Sequence, residues 1–159
     1  MTVKTGDKAP AFDLEVTHGE RVRLADYLGR SNVLLVFHPF AFTAVCEEEA
    51  LDLQENIESF RNAQTEIVLV SCDPSPSRQA WKKQIGAEFV FASDFWPHGE
   101  ASKAYGVFNE ETGAPRRGTF LIDREGTVIW SLVNWQDERR TEMVADSLDT
   151  LEATTSSGA

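Results

Sequence analysis

Two of the 159 residues are cysteines, and one of them, Cys46, stands where a thiol can become a nucleophile. It closes the segment Pro39-Phe40-Ala41-Phe42-Thr43-Ala44-Val45-Cys46, which follows the apolar run 33–37 and His38. The run predicts a strand, and the spacing after it predicts a helix starting near Thr43. In open α/β sheets the active site lies beyond the carboxyl ends of the strands, where helices begin. With Thr43 as N-cap, Cys46 is the third helical residue, among backbone N–H groups that lack intrahelical partners. Those groups and the helix dipole favour a thiolate, the nucleophilic form. Glu47, Glu48 and Glu49 oppose it, because like charge raises a thiol pKa. Exposed charges are screened, whereas a buried cation beside the sulfur acts at lower effective dielectric. A reactive Cys46 therefore needs an arginine brought in by the fold, and Arg116 and Arg117 are both candidates.

Each of these residues also has a plain structural reading. A buried Cys is often a small apolar side chain, Thr43 is a suitable helix cap whatever the chemistry, and Pro39 breaks the chain after a strand. Glu49 reads as a helix-surface or capping carboxylate and is left out of the catalytic set. Cys72 follows a second strand, so it belongs to the same sheet edge, but resolving an oxidised Cys46 would require close Cα atoms. A strand-end Cys is usually buried and inert. His38 reads as a strand-end histidine packed under the helix, with pocket proton control as the rarer alternative. His98 reads as structural, and His38, Cys46 and His98 do not form a metal-ligand spacing.

The elements that must position these groups follow from hydrophobic period. Phe12, Leu14 and Val16 alternate, His18-Gly19 turns the chain, and Val22 and Leu24 alternate again, which predicts an N-terminal hairpin. A short helical turn is expected at 26–28. Residues 33–37 are apolar on both faces, as in a central parallel strand. From 43 to about 62, Cys46, Ala50, Leu53, Ile57 and Phe60 share one helical face. A second strand is predicted at 67–70, and a helix at 75–85 ended by Gly86. A short strand at 89–91 and a short helix at 101–105 come next. Strands at 119–122 and 127–132 flank the turn Asp123-Arg124-Glu125-Gly126, and Met143, Val144, Leu148 and Leu151 mark a last helix. Two strand–helix–strand units require a parallel sheet with right-handed crossovers. The expected fold is α/β and thioredoxin-like with an N-terminal β-hairpin extension. It forms one domain over 1–153, followed by a loose tail at 154–159.

A net charge of −11 argues against nucleic acid and against anionic lipid. No apolar run could span a bilayer, and the opening residues show no export signal. Two cysteines without a C-x-x-C argue against a zinc site and against a dithiol oxidoreductase. In a cytoplasmic chain they are expected reduced.

Pro39-x-x-x-Thr43-x-x-Cys46 resembles the signature of the peroxiredoxins, the thiol peroxidases. Arg117-Gly118-Thr119-Phe120-Leu121-Ile122-Asp123 resembles the family's arginine-bearing strand, which favours Arg117 over Arg116. Ser93-Asp94-Phe95-Trp96-Pro97-His98-Gly99 and Ala104-Tyr105-Gly106-Val107-Phe108-Asn109-Glu110 are similar to an actinobacterial one-cysteine branch, the alkyl hydroperoxide reductase E type. The resemblance implies that Cys46 attacks a peroxide oxygen and that Thr43 hydrogen-bonds peroxide and sulfur. It implies that Arg117 stabilises the thiolate and the polarised O–O bond, and that Pro39 walls the pocket. It further implies no cofactor or metal, peroxide substrates including peroxynitrite, and an external thiol reductant (mycothiol, a mycoredoxin or a thioredoxin-like protein). A homodimer with its interface near the active site is expected, with Phe40, Phe42, Phe91, Phe95 and Trp96 crowding that edge. A redox sensor that passes the oxidation to a partner is the alternative; turnover separates the two.

Overall fold

The run Val33-Leu34-Leu35-Val36-Phe37 is apolar without alternation because both faces of its strand are covered. Val33, Leu35 and Phe37 pack with Phe12, Leu14, Tyr105 and Phe120. Leu34 and Val36 pack on the other side with Ala50, Leu53, Phe60, Trp81, Leu121, Met143 and Leu151. The computed structural model describes residues 2–17, 19–40, 44–95, 98–134 and 142–157, with backbone alone for 154–157.

Strands β1 (Asp13–Thr17) and β2 (Glu20–Arg23) form the N-terminal hairpin. Then come β3 (Asn32–Phe37), α1 (Ala44–Glu55), α2 (Ile57–Asn62), β4 (Thr65–Ser71), α3 (Ser75–Ile85), β5 (Val90–Ser93) and α4 (Glu100–Ala104). The chain continues through β6 (Phe108–Asn109), β7 (Ala114–Pro115), β8 (Arg117–Ile122), β9 (Val128–Asn134) and α5 (Met143–Ser157). The main sheet has the order β2-β1-β5-β4-β3-β8-β9. Strands β3, β4 and β5 are parallel, while β8 and β9 add antiparallel. This is the thioredoxin-like α/β architecture with a β-hairpin added at one edge.

Several bounds differ from the sequence expectation. The single helix over 43–62 is two helices, because the Asn56 side-chain amide donates to the Asp52 carbonyl at 2.8 Å, and the chain breaks there. The N-terminal helical turn is a 3-10 turn at Leu24–Asp26, two residues early, where the Asp26 carboxylate accepts from the Arg23 backbone N–H. The loop-rich stretch contains the two-residue strands β6 and β7, too short to leave a periodic signal. Strand β8 starts at Arg117, and α5 keeps its helical backbone through Ser157, beyond the residue where a loose tail was expected.

Side chains of α3 help to hold the hairpin. Strand β1 meets β5 through the single pair Glu15–Ser93. The Val16 carbonyl instead accepts from Ser75 Oγ (3.1 Å), Arg78 Nη2 (2.8 Å) and Gln79 Nε2 (2.9 Å), all on α3. Arg78 is fully buried and also donates to the Phe91 carbonyl.

Candidate active site

Helix α1 starts at Ala44, so Cys46 is its third residue. Its buried face is Cys46, Glu49, Ala50 and Leu53, spaced as one side of an α-helix. Strand β8 supplies the opposing wall. Side chains alternate along a strand: Leu121 packs with the α1 side, while Phe120 and Ile122 pack with the other core. Thr119 shares the α1 side, its hydroxyl 3.5 Å from Met143 Sδ on α5. Arg117 falls on that same side.

The Arg117 guanidinium lies between two acceptors. Nη1 is 3.2 Å from Cys46 Sγ and 2.5 Å from Glu49 Oε1. All three groups are buried, with Cys46 only 2% exposed. A carboxylate and a sulfur in a dry site require a cation, since an unpaired buried charge is costly. Glu49 therefore both holds the guanidinium and offsets part of its pull on the sulfur. Arg116 faces elsewhere: its Nη2 donates to the Gly106 carbonyl at 3.0 Å and its backbone N–H to the Val107 carbonyl at 2.7 Å.

Pro39 is buried beyond the end of β3. The parallel ladder runs one residue past β3, where the His38 N–H donates to the Val70 carbonyl at 2.9 Å. Pro39 has no N–H with which to extend it. His38 is 1% exposed, and its ring lies 5.3 Å from that of Trp81. Its Nδ1 has no hydrogen-bond partner among the described residues. Thr43, with Ala41 and Phe42, lies outside the described residues, as do His18, Trp96 and Pro97. His98 sits at a positive φ of 33° in a turn, its ring 6.2 Å from Phe95.

Cys72 is a second free thiol at the end of β4, half-buried, with Sγ 3.8 Å from the Asp94 carbonyl. Burial, with Asp94 and Asp73 nearby, pushes its pKa up to about 12, so it is a thiol at neutral pH. Among the described residues, no group of three His, Cys, Asp or Glu side chains is placed to hold a metal, and no helix is long and apolar enough to cross a membrane.

A buried cysteine in the first turn of a helix, touched by a guanidinium from a neighbouring strand, agrees with the sequence comparison. Residues 5–131 match the AhpC/TSA family. The chain belongs to that family, the peroxiredoxins. It is an enzyme of this thiol-peroxidase class. It is 40% identical over 152 residues to alkyl hydroperoxide reductase E of Mycobacterium tuberculosis, covering 95% of this chain and 99% of that one. It is 33% identical over 157 residues to peroxiredoxin Bcp of Bacillus subtilis, covering 95% and 96%. Among solved structures, the peroxidoxin BcpB of Mycobacterium tuberculosis superposes with a TM-score of 0.85 at 27% identity, covering 94% of this chain and 97% of that one.

One residue of this peroxiredoxin's site was misplaced by its sequence. Glu49 is neither a surface nor a capping carboxylate: it is 1% exposed and paired with Arg117. The signal was available, since a residue three positions after Cys46 shares its helical face.

Proposed function

We propose that this peroxiredoxin reduces hydrogen peroxide and organic hydroperoxides, with peroxynitrite as a further substrate, through Cys46 alone in a one-cysteine cycle. The Cys46–Arg117 contact at the start of α1 carries the reading. The guanidinium and the N–H groups of the first helical turn, which have no intrahelical acceptors, favour the thiolate. The thiolate attacks the outer peroxide oxygen. The S–O bond forms as the O–O bond breaks, and the electron pair leaves on the distal oxygen, which takes up a proton to become water or an alcohol or, from peroxynitrite, departs as nitrite. Sulfur is oxidised by two electrons to the sulfenic acid.

Fixed donors aimed at the oxygen where charge develops lower the barrier. Arg117 is one such donor and the Thr43 hydroxyl the other, while Pro39 keeps water from the pocket. Cys72 takes no part in resolution, a reading supported by its pKa of about 12. An external thiol instead attacks the sulfenic sulfur, releasing water and leaving a mixed disulfide, which a second thiol opens. Mycothiol, a mycoredoxin or a thioredoxin-like protein is the proposed reductant, supported by the likeness to the mycobacterial enzyme. The site of action is the cytoplasm, where thiols stay reduced. The exposed rings of Phe40 and Phe95 support a homodimer that closes over this edge.

The test is rapid mixing of the reduced enzyme with hydrogen peroxide and with a fatty-acid hydroperoxide. Cys46→Ser is expected to abolish the reaction and Cys72→Ser to keep most of it, with the oxidised protein gaining one oxygen and no internal disulfide. Loss of turnover in Cys72→Ser would replace the one-cysteine cycle with a two-cysteine one.

A further inference from the structure

We propose that Val107, packed into the space left by the missing side chain of Gly118, sets the position of the Arg117 guanidinium and through it the charge on Cys46. The inference rests on the role proposed above for Arg117. Gly118 follows Arg117 on β8, so it presents the opposite face of the sheet, the face occupied by Phe120. A Cβ built on Gly118 would lie 2.7 Å from Val107 Cγ1, 3.2 Å from Phe120 Cε2 and 3.3 Å from Val107 Cβ. Gly118 is absent from the positive-φ glycines, so the position calls for room and not for a special backbone conformation.

Neither side of this contact is free to move in the same way. Val107 is fully buried, and its N–H donates to the Ser102 carbonyl at 2.9 Å while its carbonyl accepts from Arg116 N–H at 2.7 Å. The Arg116 side chain ties the same segment through the Gly106 carbonyl. The start of β8 is tied to the same segment through Arg116, whose carbonyl also accepts from the Gly118 N–H at 2.9 Å. Its ladder with β3 runs only from Thr119 to Ile122, so Arg117 and Gly118 are flanked by β9 alone, opposite Asn134 and Val133. A side chain at 118 would therefore push Val107 and the tip of β8 apart, and the tip carries the guanidinium that lies 3.2 Å from the sulfur. Val107 and Gly118 are positioning residues that act through Arg117.

The test compares Gly118→Ala, Gly118→Ala with Val107→Ala, and Arg117→Ala, all on a Cys72→Ser background so that one thiol is read. The measurements are the pH dependence of Cys46 alkylation and the second-order rate with hydrogen peroxide. Gly118→Ala is expected to raise the Cys46 pKa by about 1 and, at a pH below both pKa values, to slow peroxide reduction roughly tenfold, in step with the lost thiolate. The double variant is expected to return both to within about twofold of the parent, because the offending Cγ1 is gone; a merely structural glycine would give no such rescue of the titration. If Gly118→Ala fails to fold, the double variant still must fold and titrate like the parent. A folded Gly118→Ala protein with parental titration and rate overturns the inference, as does a double variant that does not recover. If Arg117→Ala leaves the titration unchanged, the role assigned to Arg117 falls instead.

Discussion

At the scale of single residues, the site turns on how one guanidinium is shared. Arg117→Ala removes the Nη1 contact from both the Cys46 sulfur and the Glu49 carboxylate. Peroxide reduction is expected to slow by about a hundredfold, a typical loss for one donor to developing charge, and the Cys46 thiol titration to move to higher pH. Glu49→Gln is expected to do the opposite to the titration. It keeps an acceptor for Arg117 and removes the competing negative charge, so the Cys46 pKa falls. Glu49→Ala breaks the buried pair and is expected to cost about 3–5 kcal/mol in urea unfolding. Cys46 and the need for an arginine were legible because a thiolate among three glutamates demands a cation. Glu49 was not recognised because it is one of three consecutive glutamates, and only the inner face of α1 separates it from Glu47 and Glu48.

Among the elements, those with a long apolar signal were legible and those held by side chains were not. Strands β3 and β4 and helix α3, with its Gly86 end at φ 69°, follow from period and capping. The break at Asn56 depends on one amide reaching one carbonyl, and β6 and β7 are two residues each. Helix α4, expected at 101–105, lies at Glu100–Ala104. Its start is held by buried Asp94, whose carboxylate accepts from the N–H groups of Ala101 (3.0 Å) and Ser102 (2.8 Å) and from Ser102 Oγ (2.7 Å). Burial raises the Asp94 pKa despite those hydrogen bonds. Asp94→Ala orphans these donors and is expected to cost about 1–3 kcal/mol, read as a lower urea midpoint.

For the whole molecule, the sheet separates two cores, and buried or half-buried thiol and phenol groups set the response to alkali. Burial pushes Cys72 and Tyr27 up to about 12 and moves Tyr105 further in the same direction. The folded chain holds these protons where the unfolded chain releases them. Their contribution is therefore complete below about pH 8.5, the ordinary thiol value, and is lost as pH rises through the phenol range towards 12. The urea midpoint is expected to fall steadily from pH 9 to pH 11, and Cys72→Ser to flatten the first part of that fall. The edge of the sheet behaves differently from its centre. The Val16 carbonyl is gripped by Ser75, Arg78 and Gln79, while β1 shares one residue pair with β5. Amide protons of β1 and β2 are thus expected to exchange with deuterium as a unit of their own, well before those of β3 and β4. Arg78→Met should hasten that exchange at the hairpin while leaving the slow protons of the central strands where they were.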